Sequence, residues 1–202
     1  MKNCLLLCVA VLALAVAVPA SAQYMFLDVN GDEFCSTDDV LDNTVNHVDI
    51  WIATDMDGNF FPVTCPTGQE LTINSYTFIL RSTGGVTYGA WTDNMGFTTN
   101  LGTGAAGNDR WVGRGSGTIQ NPGIYKLGSQ AVTVTGSAVL SIVSSTTASS
   151  QALTSFGSKC LGTLGTNTMK LGLDWFDVCG TTSSTPVTDT TWGKIKALYR
   201  GN

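Results

Sequence analysis

Twelve consecutive residues, Asp28-Val29-Asn30-Gly31-Asp32-Glu33-Phe34-Cys35-Ser36-Thr37-Asp38-Asp39, put oxygen-bearing side chains at positions 1, 3, 5, 9 and 12 of one short stretch. Calcium is a hard cation that takes about six to eight oxygens, and this spacing wraps a loop around a single ion. Asp28, Asn30 and Asp32 would ligate by side chain and Phe34 by its backbone carbonyl. Ser36 would ligate directly or through water, and Asp39 would close the loop. Asp38 reads as a neighbouring charge. The competing account is an acidic loop of Asx turns that holds no metal. Position 6 is Glu33, where the sharp turn calls for glycine, so a side chain there strains the loop and lowers its affinity.

A weaker candidate follows at Asp55-Met56-Asp57-Gly58-Asn59, which has positions 1, 3 and 5 but meets Pro66 at position 12. Asp55, Asp57 and Asn59 would form a second partial site, or complete the first across a Cys35–Cys65 bridge. The alternative is a hairpin turn around Asp57-Gly58. Nine of the fifteen acidic residues lie between Asp28 and Asp57, and no basic residue occurs between Lys2 and Arg81. Carboxylates so crowded repel one another, and a bound cation relieves that. The same balance, net −5, argues against nucleic acid as a partner.

The run Asp28-x-Asn30-x-Asp32 with its ending Asp39-Val40-Leu41 resembles the calcium loop of dockerin-type repeats, which are EF-hand-like and end in Asp rather than Glu. The resemblance covers about fourteen residues. Dockerins carry two such loops with helices, and one copy stands here, so docking to a scaffold partner is not implied.

Catalytic constellations are weak. The one histidine, His47, opens a strand-like segment, and no G-x-S-x-G elbow occurs. Gly102 to Gly107 matches G-x-G-x-x-G, but no βαβ unit surrounds it, so it reads as a flexible loop. Asp174 and Asp177 flank Trp175-Phe176 as the paired acids of a glycoside hydrolase would, yet no second acidic site faces them. Trp51, Trp91, Trp111 and Trp175 form either a sugar-stacking face or part of the core. The expectation is therefore a protein that is not an enzyme.

The elements that must hold the loop begin after an export signal. Residues 1–22 show a short positive start, an apolar run over 4–18 and Ala20-Ser21-Ala22 before Gln23. The run is short of the ~20 residues of a membrane span. No later segment is long and apolar enough to span a bilayer. Export predicts a secreted, extracellular or cell-surface chain, the periplasm being the other oxidising setting. Cys35, Cys65, Cys160 and Cys179 would then form disulfides. Four cysteines allow three pairings, and closeness in sequence favours Cys35–Cys65 and Cys160–Cys179.

After the loop segment (23–45), residues 46–180 read as strands. Val48–Ala53, Leu71–Leu80 with a bulge near Ser75, Val86–Trp91, Arg110–Val112, Ile124–Leu127 and Met169–Val178 are the candidates. Ala131–Thr135 and Val139–Val143 read as a hairpin turning near Gly136, and one helical turn is expected after Thr37. Abundant glycine and a charged fraction of only 12% suit an all-β sandwich. The phrases Asn74-Ser75-Tyr76-Thr77-Phe78 and Gly123-Ile124-Tyr125-Lys126-Leu127-Gly128 make this body resemble cohesin-like, jelly-roll carbohydrate modules. The mature chain as a whole resembles secreted bacterial proteins, of uncharacterised family, that join such a loop to a β-domain. Residues 181–191 form a Ser/Thr-rich linker. In the tail 192–202, Trp192, Ile195, Leu198 and Tyr199 share one helical face among basic residues, as in a sorting or docking tag or in a frayed tail or helix packed on its own sandwich.

The expectation is a secreted, calcium-binding, non-catalytic β-sandwich with a surface-structural or protein-interaction role. The alternative is a carbohydrate-binding module, with a glycoside hydrolase behind it. Its partners would be other extracellular proteins, further copies of itself, or polysaccharide.

Overall fold

A straight strand of 21 residues would reach about 70 Å, far beyond a domain of this length. The longest strand here, β3 (Ile73–Asp93), has that many residues and therefore doubles back. Phe78 and Trp91 lie on this one strand, yet their rings sit 5.2 Å apart. The computed structural model describes residues 23–36, 38–57, 60–65, 68–94, 96–143, 154–161, 168–170 and 181–183. Residues 1–22 and the tail 192–202 fall outside it, as do Thr37, Asn59, Asp174, Asp177 and Cys179.

The described residues are all-β and antiparallel. β1 (Tyr24–Asp28), β2 (His47–Ala53), β6 (Ile124–Val143), β3, β5 (Asp109–Gln120) and β4 (Thr99–Ala106) are hydrogen-bonded in that order. β7 (Ser155–Gly157) pairs with β3, β8 (Thr168–Lys170) with β7, and β9 (Thr181–Ser183) with β6. Thr181–Ser183, at the head of the Ser/Thr-rich stretch, thus extends the sheet. No α-helix occurs among the described residues, and none of their helices is long and apolar enough to cross a membrane.

Glycines make the bend. The β3–β6 register shifts between Thr83 and Gly85. A Cβ at Gly84 (φ +91°) would meet the Ser137 carbonyl at 2.2 Å, and one at Gly85 the Thr135 carbonyl at 2.1 Å. Gly136, at φ +65°, bends β6 opposite them. The hairpin expected at Gly136 is therefore not formed. Residues 131–143 stay on one strand, because each half finds a partner on β3 rather than on the other half. Val86–Trp91 likewise continues β3.

Folding over encloses the core. Tyr76, Phe78 and Leu80 from the first half of β3 pack with Phe26, Ile50, Ile52, Leu127 and Leu140. Each such side chain, once buried, stabilises by about 1.5–3 kcal/mol. The Tyr76 hydroxyl donates to the Leu127 carbonyl at 3.0 Å and ties the two faces together. Burial, reinforced by the charge of Asp93, holds that hydroxyl well above the usual tyrosine range.

Two further expectations are corrected. Gly102–Gly107 is not a loop: Gly102 to Ala106 belongs to β4, paired with β5, and Trp111 lies across Gly104. Cys65 is bonded to Cys160, not to Cys35, so Cys160–Cys179 is also excluded. The cause is β7, whose pairing with Ser75–Thr77 brings residues 158–160 beside Thr72, where the Lys159 N–H bonds the Thr72 hydroxyl at 3.0 Å. Cys35 is disulfide-bonded as well.

Candidate functional site: an acidic loop closed by its own backbone

β1 went unrecognised in the sequence, and it positions the loop. Tyr24 to Leu27 are all buried, and Asp28 ends the strand in register with Asp49 of β2. Asp28 is 1% exposed, so the first residue of the acidic stretch is held under the sheet edge. Its Oδ1 accepts the Gly31 N–H at 2.7 Å and its Oδ2 the Glu33 N–H at 3.1 Å. Asn30 Oδ1 accepts the Asp32 N–H, and Asp32 Oδ1 the Phe34 N–H, both at 2.9 Å. Asp39 closes the loop. Its Oδ1 accepts the Val29 N–H at 2.7 Å, and its Oδ2 accepts the Ser36 N–H at 3.0 Å and, at 3.4 Å, the Ser36 hydroxyl.

The loop is thus turned inside out relative to an ordinary polar surface, with its side-chain oxygens against its own N–H groups. Glu33 takes φ +64°, so position 6 has the left-handed turn that favours glycine, with a glutamate making it. Phe34 is exposed, and no α-helix follows, the chain making a turn at Asp38.

Electrostatically the site is unbalanced. Asp28 and Asp39 are both buried, and their hydrogen-bond partners are N–H and O–H groups of the loop. Burial raises the Asp39 carboxyl above its ordinary value, and the charge of Asp28 adds to this. The N–H groups of Val29, Ser36 and Asn30 pull the other way. Asp49, the cross-strand neighbour of Asp28, is neutralised by Lys126 and accepts the Ser129 hydroxyl, so it adds no free charge.

As a donor set for a hard cation, Asp28, Asn30, Asp32, Ser36, Asp39 and the Phe34 carbonyl fit by chemistry, since all are oxygens and three are carboxylates. Among the described residues, however, no three His, Cys, Asp or Glu side chains converge as a metal-holding group. Each ionised carboxylate offers about four lone-pair sites, so a cation could be ligated while these N–H bonds are kept.

The second acidic cluster lies elsewhere. β1 and β2 are antiparallel, with Asp28 opposite Asp49 and Tyr24 opposite Ala53, so the loop beyond Ala53 leaves from the far end, about 13 Å along the strand. Asp57 is beside Tyr24, whose hydroxyl is pushed up to about 12 by burial and then by the Asp57 charge. The register thus starts the 55–57 segment at the other end of β1 from Asp28, and the Cys35–Cys65 bridge that would have joined the two clusters is not formed. The Asp57 N–H donates to the Phe61 carbonyl, and Asp57 Oδ1 accepts the Phe61 N–H at 3.0 Å. Asp55 Oδ1 is buried with no hydrogen-bond partner.

Trp51 stacks on Phe26 and Trp91 packs on Phe78, so both contribute to the core rather than to a flat exposed face. His47 is exposed at the start of β2, bonded to the Asn46 side chain. No family model matches the chain, and no curated protein or solved structure matches it either.

Proposed function

We propose that this is a secreted, non-catalytic β-sandwich of cohesin-like, jelly-roll type whose 28–39 loop takes up one Ca2+. Its role would be structural or protein-binding, at a surface or outside the cell. The observation that carries the reading is the pair Asp28 and Asp39. These are two buried carboxylates at opposite ends of one loop, held by N–H and O–H groups, with no cationic side chain among their partners in the described residues. Burying such charge uncompensated is costly. A divalent ion is the largest charge such a site can acquire, and it reverses the repulsion. Ligands at both ends of the loop would pin β1 to β2, so binding would add to folding stability by linkage.

The export signal supports the same reading. Outside the cell, a loop weakened by Glu33 needs only the modest affinity of extracellular calcium modules, with Kd about 10⁻⁴–10⁻³ M. Direct titration tests it: calcium added to chelator-treated protein should bind at one site per chain, and Asp28→Ala should remove that site. Absence of binding at millimolar calcium overturns the reading.

A further inference from the structure

A second charged cluster lies between β5 and the returning half of β3. Arg110, Val112 and Arg114 alternate along β5 and so share one face. Arg114 is buried and fully engaged. Its Nε pairs with Asp93, and its Nη1 donates to Asn100 Oδ1 and Thr103 Oγ1, both at 2.8 Å. Asp93 also accepts the Trp91 indole N–H.

Arg110 is held differently. It is half-buried, and among the described residues its guanidinium makes one hydrogen bond, from Nε to Gln130 Oε1 at 3.3 Å. Gln130 is wholly buried, and its amide nitrogen donates to the carbonyls of Gly89 at 3.0 Å and Ala131 at 2.9 Å. It thereby fills the irregularity where the β3–β6 register shifts between Tyr88 and Trp91. With its amide nitrogen so fixed, Gln130 can offer Arg110 only its oxygen, and it orients the guanidinium. Among the described residues, no carboxylate is one of the groups acting on Arg110. Burial and the Arg114 charge both disfavour its cation, and only Tyr88 acts the other way. With Arg114 paired to Asp93, and Arg81 to Asp109 through two bonds of 2.7 and 2.8 Å, Arg110 is the arginine among the described residues that no carboxylate pairs with.

We propose that the Nη1/Nη2 edge of Arg110 binds the carboxylate of an acidic saccharide. That edge is a planar two-donor fork, the geometry that a carboxylate accepts with both oxygens. The groups beside it, the Gln130 amide and the half-buried Tyr88, are polar or aromatic and suit a hydroxyl-rich ring better than an acyl chain. The site does not depend on the cation reading.

The test is calorimetric titration of the full chain with trigalacturonate and with its methyl ester, which keeps the sugar and removes the charge. The acid should bind at least about tenfold more tightly than the ester, as expected for a charge-assisted pair. Arg110→Gln should erase that preference, and Arg110→Lys should keep only part of it. Equal affinity for acid and ester, no binding of the acid at millimolar concentration, or unchanged binding by folded Arg110→Gln would each overturn the proposal. Equally tight binding of a tripeptide through its free carboxylate would overturn the choice of saccharide. The comparison of acid with ester needs no variant, so it decides even if Arg110→Gln does not fold.

Discussion

The Asp39 carboxylate accepts the N–H of Val29 at 2.7 Å, so the last residue of the acidic stretch closes onto the residue that follows its first. The burial of Asp39 beside Asp28 has a pH signature, which the Val29 bond opposes. In chelator, the folded-state carboxyl of Asp39 is raised above its ordinary 3.8 by burial and by Asp28. The native state then holds this proton more tightly than the unfolded chain does. The stability linked to Asp39 is complete below 3.8 and is lost as pH rises through the raised folded value. Urea midpoints measured upward from pH 3.5 should fall for the wild type relative to Asp39→Asn. Parallel curves would contradict the assignment.

Glu33 offers a conformational test. A non-glycine residue in the left-handed region costs about 1–2 kcal/mol, and Glu33 is exposed at φ +64°. Glu33→Gly should strengthen calcium binding several-fold in titration. Glu33→Gln, which removes the charge and keeps the strain, should not. If the two variants behaved alike, charge rather than backbone strain would set the affinity.

The Cys65–Cys160 bridge spans 95 residues of sequence. A bridge closing a loop of that size stabilises by about 4–5 kcal/mol in the chain-entropy model. The Cys65→Ser/Cys160→Ser double variant should therefore melt roughly 10–20 °C lower, at about 2–4 °C per kcal/mol. A melting temperature within a few degrees of wild type would contradict this.

Phe78 is fully buried against Trp91 across the fold of β3. Phe78→Ala should cost about 3–5 kcal/mol and shift tryptophan emission to the red. Phe61→Ala, at a side chain 66% exposed, should change stability by less than about 0.5 kcal/mol. Comparable losses in denaturant titration would contradict the placement of the core.

The all-β class was legible in the β-branched and aromatic runs, as was the irregularity near Ser75, where the β3–β5 register does shift. Strand length was not. Gly84-Gly85 and Gly136 look like turns in sequence, yet they bend strands that continue through them, because partners from distant sequence fill both sides. β1 was hidden because Tyr24-Met25-Phe26-Leu27 is buried on both faces and shows no alternation. Missing β1 left the loop ends legible but not their burial, and it hid that the 55–57 segment starts at the other end of β1 from Asp28. Arg110 carried no sequence signal at all. Its site depends on Gln130 reaching into a β3 irregularity that only the strand pairing reveals.

If Asp28 and Asp39 are buried to hold a cation, the melting temperature depends on calcium. At calcium about a hundredfold above Kd, linkage adds about 2.7 kcal/mol. The melting temperature should therefore rise roughly 5–10 °C over that in EDTA, and Asp28→Ala should abolish the rise. Superimposable curves in calcium and EDTA would contradict the claim.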